Sequence, residues 1–250
     1  MTNAPLYDRW PTDGRALTEQ AVAAHGGRAT WQSLRSIKLA FGSASGVLLR
    51  FKGYRQTFGA PREFEVRPHE HQTIFHAYPD AEHRGWFLNG DVMIENVAAR
   101  QPVSQSRDHR RTFSGPEKRR QWAPLDALYF FGYALWHYHT LPFSLGSARF
   151  VNLRHRAGLA SLDVAFPAGT QTHSLRQRFF FDQDGRIVRH DYIAEIVGVW
   201  AMGSHYWEDY GRAGGLLIAR RRRVFFRLFG YRTPLEVLRV EFSGVSAQSR

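Results

Sequence analysis

Cysteine is absent from the 250 residues. That excludes disulfides and thiolate metal sites, and it leaves the redox compartment open. Acidic residues are few: 22 Asp and Glu stand against 34 Lys and Arg, a formal net charge of +12. Such a surplus favours anionic partners, whether nucleic acid, anionic lipid or an acidic small molecule. No apolar run reaches the roughly 20 residues of a membrane-spanning helix. Residues 1–11 read as a polar tail carrying Trp10-Pro11, and 1–15 hold no secretory signal or anchor, so a cytoplasmic protein is expected. There is no nucleophile elbow, phosphate-binding loop, dinucleotide fingerprint or HExxH. This argues against a nucleotide hydrolase, a Rossmann dehydrogenase and a zincin, and no cofactor is expected. With no helix–turn–helix, zinc finger or RNA-binding signature, only charge speaks for nucleic acid, which is not expected as a partner. No repeat or composition shift divides the chain, so residues 1–250 are expected to form one domain.

What is present begins with residues 123–141. Pro124 suits a first helical position and Asp126 a first turn, while Pro142 ends the helix. Between them, Leu125, Leu128, Tyr129, Phe130, Phe131, Tyr133, Leu135, Trp136 and Tyr138 leave no polar face. A helix apolar all round is buried or lies in lipid. The unbroken run 127–136 is too short to span, so the helix is expected to be enclosed by sheet.

Before it, 12–34 reads as short helices, capped by Thr12 or Asp13 and interrupted at Gly26-Gly27. From Ser36 the apolar period is two. Ile37, Leu39 and Phe41 alternate, as do Val47, Leu49 and Phe51, and further strands follow to residue 97. Asn89-Gly90 is the strongest hairpin signal. Residues 100–121 are arginine-rich and poor in apolar side chains, and are expected to be a mobile loop or lid. After the helix, 149–243 reads as a second meander, with a turn at 182–185. The fold expected is mainly β (α+β): an antiparallel open or half β-barrel wrapped around a central aromatic helix.

Histidine is the main polar resource. His69, His71 and His76 could hold a metal if the first two share one strand face, but histidines near a turn are commoner on surfaces, and no metal site is assigned. His190, Asp191, His205, Tyr206 and Tyr210 fall on two strands expected to be adjacent. A His–carboxylate pair with a tyrosine hydroxyl would suit cofactor-free proton transfer. Residues 220–223 are four consecutive arginines. In a strand they divide two and two, and Arg221 with Arg223 is the pair assigned to the concave face, where buried arginine needs a partner. Trp86, Phe130, Tyr133, Trp136 and Trp200 are candidate cavity walls. His137 and His139 mark where apolar wall gives way to polar groups.

His25-Gly26-Gly27 with Trp31, the aromatic helix closing at Leu141-Pro142-Phe143, and the run Phe181-Asp182 to Gly185-Arg186 and Asp191-Tyr192 together resemble the LolA/LolB-type lipoprotein-carrier superfamily. The resemblance implies an incomplete antiparallel barrel around helices, with an apolar cavity for acyl chains. A cytoplasmic relative is expected to bind a soluble lipid, isoprenoid or polyketide-like molecule. The function expected is therefore binding or carrying of a hydrophobic small molecule or lipid, acidic ones included. A cofactor-independent isomerase, cyclase or hydrolase is the alternative, and a basic module at an anionic membrane surface the third.

Overall fold

The period-two segments pair into one antiparallel sheet. The computed structural model describes residues 10–53 and 63–250, so most of the expected polar tail lies outside the described residues. The first strands are β1 (Leu34–Ser45), β2 (Glu63–Arg67), β3 (Gln72–Phe75), β4 (His83–Leu88), β5 (Asp91–Asn96) and β6 (Gln101–Ser106). The later ones are β7 (Arg149–Arg156), β8 (Leu159–Ala165), β9 (Arg176–Phe181), β10 (Ile187–Ile193), β11 (Met202–Ala213), β12 (Leu216–Leu228) and β13 (Tyr231–Ser249). The order across the 13-stranded sheet is β6-β5-β4-β3-β2-β1-β13-β12-β11-β10-β9-β8-β7. Two meanders are thus joined where the last strand pairs with the first, and β6 and β7 stay as open edges. This is the open half-barrel expected from the sequence.

Local chemistry explains the connections. Asn89 and Gly90 both take positive φ, 44° and 105°, which suits the two-residue turn between β4 and β5. Helix α1 (Gly14–Ala24) is capped by Asp13, whose carboxylate accepts from the Ala16 amide at 2.8 Å. Helix α2 (Gly27–Ser33) follows.

Two expectations fail here. Val47–Phe51 is a short helix, α3, not a strand. Gly46 (φ 138°) turns the chain so tightly that a Cβ would lie 2.3 Å from the Val237 carbonyl oxygen. Five residues are too few for an apolar period to separate helix from strand. Residues 100–121 are not a structureless loop. They hold β6 and two 3-10 turns, His109–Thr112 and Gly115–Arg119. Arg110 reaches the Thr172 carbonyl at 2.8 Å and Glu195 at 2.7 Å. Arg110 thus staples this segment to residues 172–195.

The long helix α4 (Pro124–Thr140) is buried at every residue from Asp126 to Thr140. Asp126 turns back to accept the Ala123 amide at 2.8 Å. The helix lies against β2 to β6. Two glycines allow that closeness: a Cβ on Gly132 would be 2.4 Å from Phe87 Cβ, and one on Gly85 would be 2.7 Å from Leu128 Cδ1. The helix therefore leans on the first meander and leaves room over the second.

Candidate functional site

The room left over β10 to β13 is a cavity of about 260 Å³. Phe130 of α4 forms its inner wall. Val47, Leu48 and Phe51 of α3 form one side, and Trp200, Ala201, Met202 and Gly203 the other. Val224, Phe226, Leu235, Val237 and Leu238 of the β12–β13 hairpin complete it. Among the described lining residues, Tyr192, His173 and the Trp200 indole carry the polar side-chain atoms, and the other side chains are apolar. Phe51 meets Trp200 edge-on at 6.2 Å where both emerge into solvent. The same hairpin ends beyond the mouth in Phe229 and Tyr231, 87% and 79% exposed.

Next to the inner end of the cavity, sharing Phe130, Val224 and Leu238 as wall, lies a crevice of about 30 Å³. Tyr138, His205 and Arg222 line this crevice. Strand register explains the grouping, because Phe179, His190, His205, Val224 and Leu238 are successive cross-strand neighbours on one face. Tyr138 comes down edge-on to His205 at 4.6 Å. Trp207 Nε1 donates to His190 Nδ1 at 3.0 Å, which puts the His190 proton on Nε2. His173 is held between two tyrosines, Tyr133 at 2.8 Å from Nδ1 and Tyr138 on Nε2. A neutral imidazole has one donor and one acceptor, so one hydroxyl gives a proton to the ring and the other receives one. Burial holds His173, His190 and His205 well below the ordinary histidine range. His137 adds to this for His173, His205 for His190, and Arg222 for His205. Burial likewise pushes the Tyr133 and Tyr138 hydroxyls well up. At neutral pH the cluster is uncharged except for Arg222, which burial lowers to about 10.

The expected acid–base set is not assembled. His190 and His205 do face each other inside, with ring centroids 4.7 Å apart. Asp191 is one residue on from His190 and so lies on the opposite face. There it accepts from Arg189 at 2.7 and 2.6 Å and sits 3.5 Å from Arg227. Tyr206 is on that outer face too, against Phe225 and Arg232. Tyr210 turns inward after Asp209 (φ 54°), but its hydroxyl donates to the Ile187 carbonyl. Arg221 and Arg223 also lie outside, bonded to Glu208 at 2.9 Å and Glu236 at 2.7 Å. The inward arginine is Arg222, which no sequence signal singled out, because apolar residues occupy both parities of β12.

Of the expected wall residues, Phe130 and Trp200 line the cavity. Tyr133 stands one layer behind it, through His173. Trp86 alternates with the helix-facing Gly85 and Phe87 and lies outside under Arg84. Trp136 donates to the Pro68 carbonyl at 3.0 Å. His137 donates to Gln177 at 3.4 Å and His139 to the Leu135 carbonyl at 2.7 Å, both within the core. The end of α4 is therefore core, and the cavity begins further up the helix at Phe130. Trp200 sits at the mouth of the cavity and His205 in the crevice at its inner end. His69 and His71 are on a 3-10 turn and just after it, not on a strand: His69 donates to the Trp31 carbonyl, and His71 packs on Trp136. Sequence reasoning missed α3, Tyr192, His173 and β13 as walls; α3 was obscured by its shortness.

A second hollow of about 400 Å³ lies at the N-terminal end of α4, beside His109, Arg120 and Asp126. Its charges already satisfy one another: Asp126 accepts from Arg120 at 2.5 and 2.8 Å and from His109 at 2.9 Å. The apolar cavity is the better candidate.

No known family model matches this chain, and no curated protein does. Among solved structures, it is similar to a LolA superfamily protein from Nitrosomonas europaea, 10% identical over 96% of both chains with a TM-score of 0.51. A DUF1329 family protein from Desulfovibrio piger overlays more loosely, with a TM-score of 0.42 at 13% identity over 93% of this chain and 92% of the other. The chain has the LolA-type fold, as the sequence resemblance implied; at such identity the likeness is one of fold alone.

Proposed function

We propose that this protein binds a hydrophobic small molecule or a lipid chain in the cavity over β10 to β13. The observation that carries this reading is the cavity itself: about 260 Å³, open at one side and walled almost wholly by apolar groups. It falls just short of the roughly 300–1,000 Å³ usual for small-molecule sites, and an open mouth lets a longer chain extend outward. Titration of delipidated protein with an environment-sensitive acyl probe tests the reading. Saturable binding is expected, and Met202→Trp, which fills the cavity from a half-buried wall position, should weaken it by about tenfold or more. No saturable binding to the unmodified protein would refute the proposal.

The mouth favours loading at an anionic lipid surface. Phe229, Tyr231, Val199 and Trp200 are exposed around it, on a chain of formal net charge +12. Exposed apolar residues grouped in this way mark interaction sites, and basic proteins gain attraction to anionic lipid that salt screens. No helix among the described residues is long and apolar enough to cross a membrane. Co-sedimentation with phosphatidylglycerol vesicles should fall by about tenfold for the Phe229→Ser, Tyr231→Ser pair, each aromatic being worth up to roughly 1.5–3 kcal/mol on burial. Equal sedimentation of pair and parent would remove the membrane from the account.

A further inference from the structure

Among the described residues, Arg222 is a buried cation without a counter-ion. It is 4% exposed, and its Nε and Nη1 have no hydrogen-bond partner. Among the described residues no carboxylate pairs with it. What surrounds it is aromatic: the guanidinium carbon lies 3.9 Å from the Trp207 ring centroid and 5.1 Å from that of Tyr138. Cation–π contacts offset part of the cost of burying a charge, but they leave N–H donors unmet. Beside it, His205 has both ring nitrogens unpartnered. Its single N–H is a second free donor on the same crevice. Native interiors rarely leave so many polar atoms unmet in one place. All of them lie where the apolar cavity ends.

We propose that Arg222 and His205 receive the carboxylate head of a long-chain acid whose tail occupies the apolar cavity. This rests on the cavity reading above and specifies its ligand. Three observations converge on it. The crevice and the cavity share Phe130, Val224 and Leu238 in their walls, so head and tail of one molecule would sit in adjoining spaces. The donors are cationic or neutral, with no acidic side chain in the lining, so an acceptor is the missing partner. The crevice, about 30 Å³, has room for about two oxygen-sized groups, enough for a carboxylate and too little for a phosphodiester with its substituents. Arg222 keeps its charge at neutral pH, so a carboxylate there gains charge-assisted hydrogen bonds that an alcohol does not.

The test compares dodecanoate with dodecanol, binding each to the unmodified protein and to Arg222→Met at neutral pH. The unmodified protein should prefer the acid by about tenfold or more, the usual scale for hydrogen bonds to a charged group. In Arg222→Met that preference should vanish while dodecanol binding persists. The ligand-free variant should melt at the same temperature as the parent or higher, because an apolar side chain replaces an unpaired buried charge. Equal binding of acid and alcohol by the parent would overturn the head-group assignment while leaving the cavity reading intact. So would an acid preference that survives in Arg222→Met. Failure of both compounds to bind would refute the cavity reading itself. Should Arg222→Met not fold, the parent's choice between acid and alcohol still decides.

Discussion

Asp126→Ala is expected to destabilise the protein by about 3–5 kcal/mol, a drop of roughly 10 °C in Tm for a chain of this size. Asp126 is 1% exposed and serves three partners at once. It takes two hydrogen bonds from Arg120, one from His109 and one from the Ala123 amide that opens α4. Burial alone would raise its pKa, but the bonds from His109 and Arg120 outweigh that and hold the carboxyl below its ordinary range. Truncation leaves Arg120 half-buried without its main partner, strands the His109 ring, and uncaps the helix on which the cavity wall stands. Asp126→Asn keeps the shape and the amide contact, so it should lose less. Thermal melts of the three proteins check this. If Asp126→Ala melts within about 2 °C of the parent, the network is not holding the helix.

The second large effect is acid sensitivity beginning near pH 6.5. Burial depresses His25 and His137 to about 4 and His139 to about 3, against an ordinary value of 6.5. His173, His190 and His205 shift the same way. These rings are neutral in the fold and take up protons near 6.5 once unfolded. The unfolded state therefore binds more protons throughout the window between the two values, and stability falls as pH falls through it. Each ring contributes about 1.4 kcal/mol per pH unit, so His25, His137 and His139 together remove about 4 kcal/mol per unit. Over one or two units that rivals the total stability of a typical domain, about 5–15 kcal/mol. Asp126 adds its loss only lower, below the ordinary carboxylate range, because its folded value is depressed. Urea midpoints at several pH values should fall steadily from about pH 6.5, and unfolding in dilute buffer should come between about pH 4 and 6. A midpoint flat from pH 7 to 5 would contradict the buried neutral histidines.

Near-neighbour signals in the chain determined a good deal. An apolar run without a polar face, bounded by Pro124 and Pro142, must be an enclosed helix, and Asp126 to Thr140 are all buried. Asn89-Gly90 fixes a two-residue turn because both residues must take positive φ. Alternation in β1 puts Ile37, Leu39 and Phe41 inside. These features depend on bonds and contacts a few residues apart, which a sequence displays directly.

The position and chemistry of the site were decided only in three dimensions. Which parity of a strand faces inward is set by its neighbours and by bulges, and one residue of shift moves every side chain to the other face. The run of arginines at 220–223 carries no mark that separates Arg222 from Arg221 and Arg223. Pairing of β12 with β11 and β13 hands the outer two to Glu208 and Glu236 and turns Arg222 inward. The same parity takes Asp191 and Tyr206 away from His190 and His205. The cavity is equally non-local. Gly85 and Gly132, 47 positions apart in sequence, let α4 settle closely on the first meander, and the cavity lies beside the helix. Composition could announce a buried aromatic helix inside a sheet; the space beside that helix, and the inward turn of Arg222, follow from long-range packing that no short stretch of sequence contains.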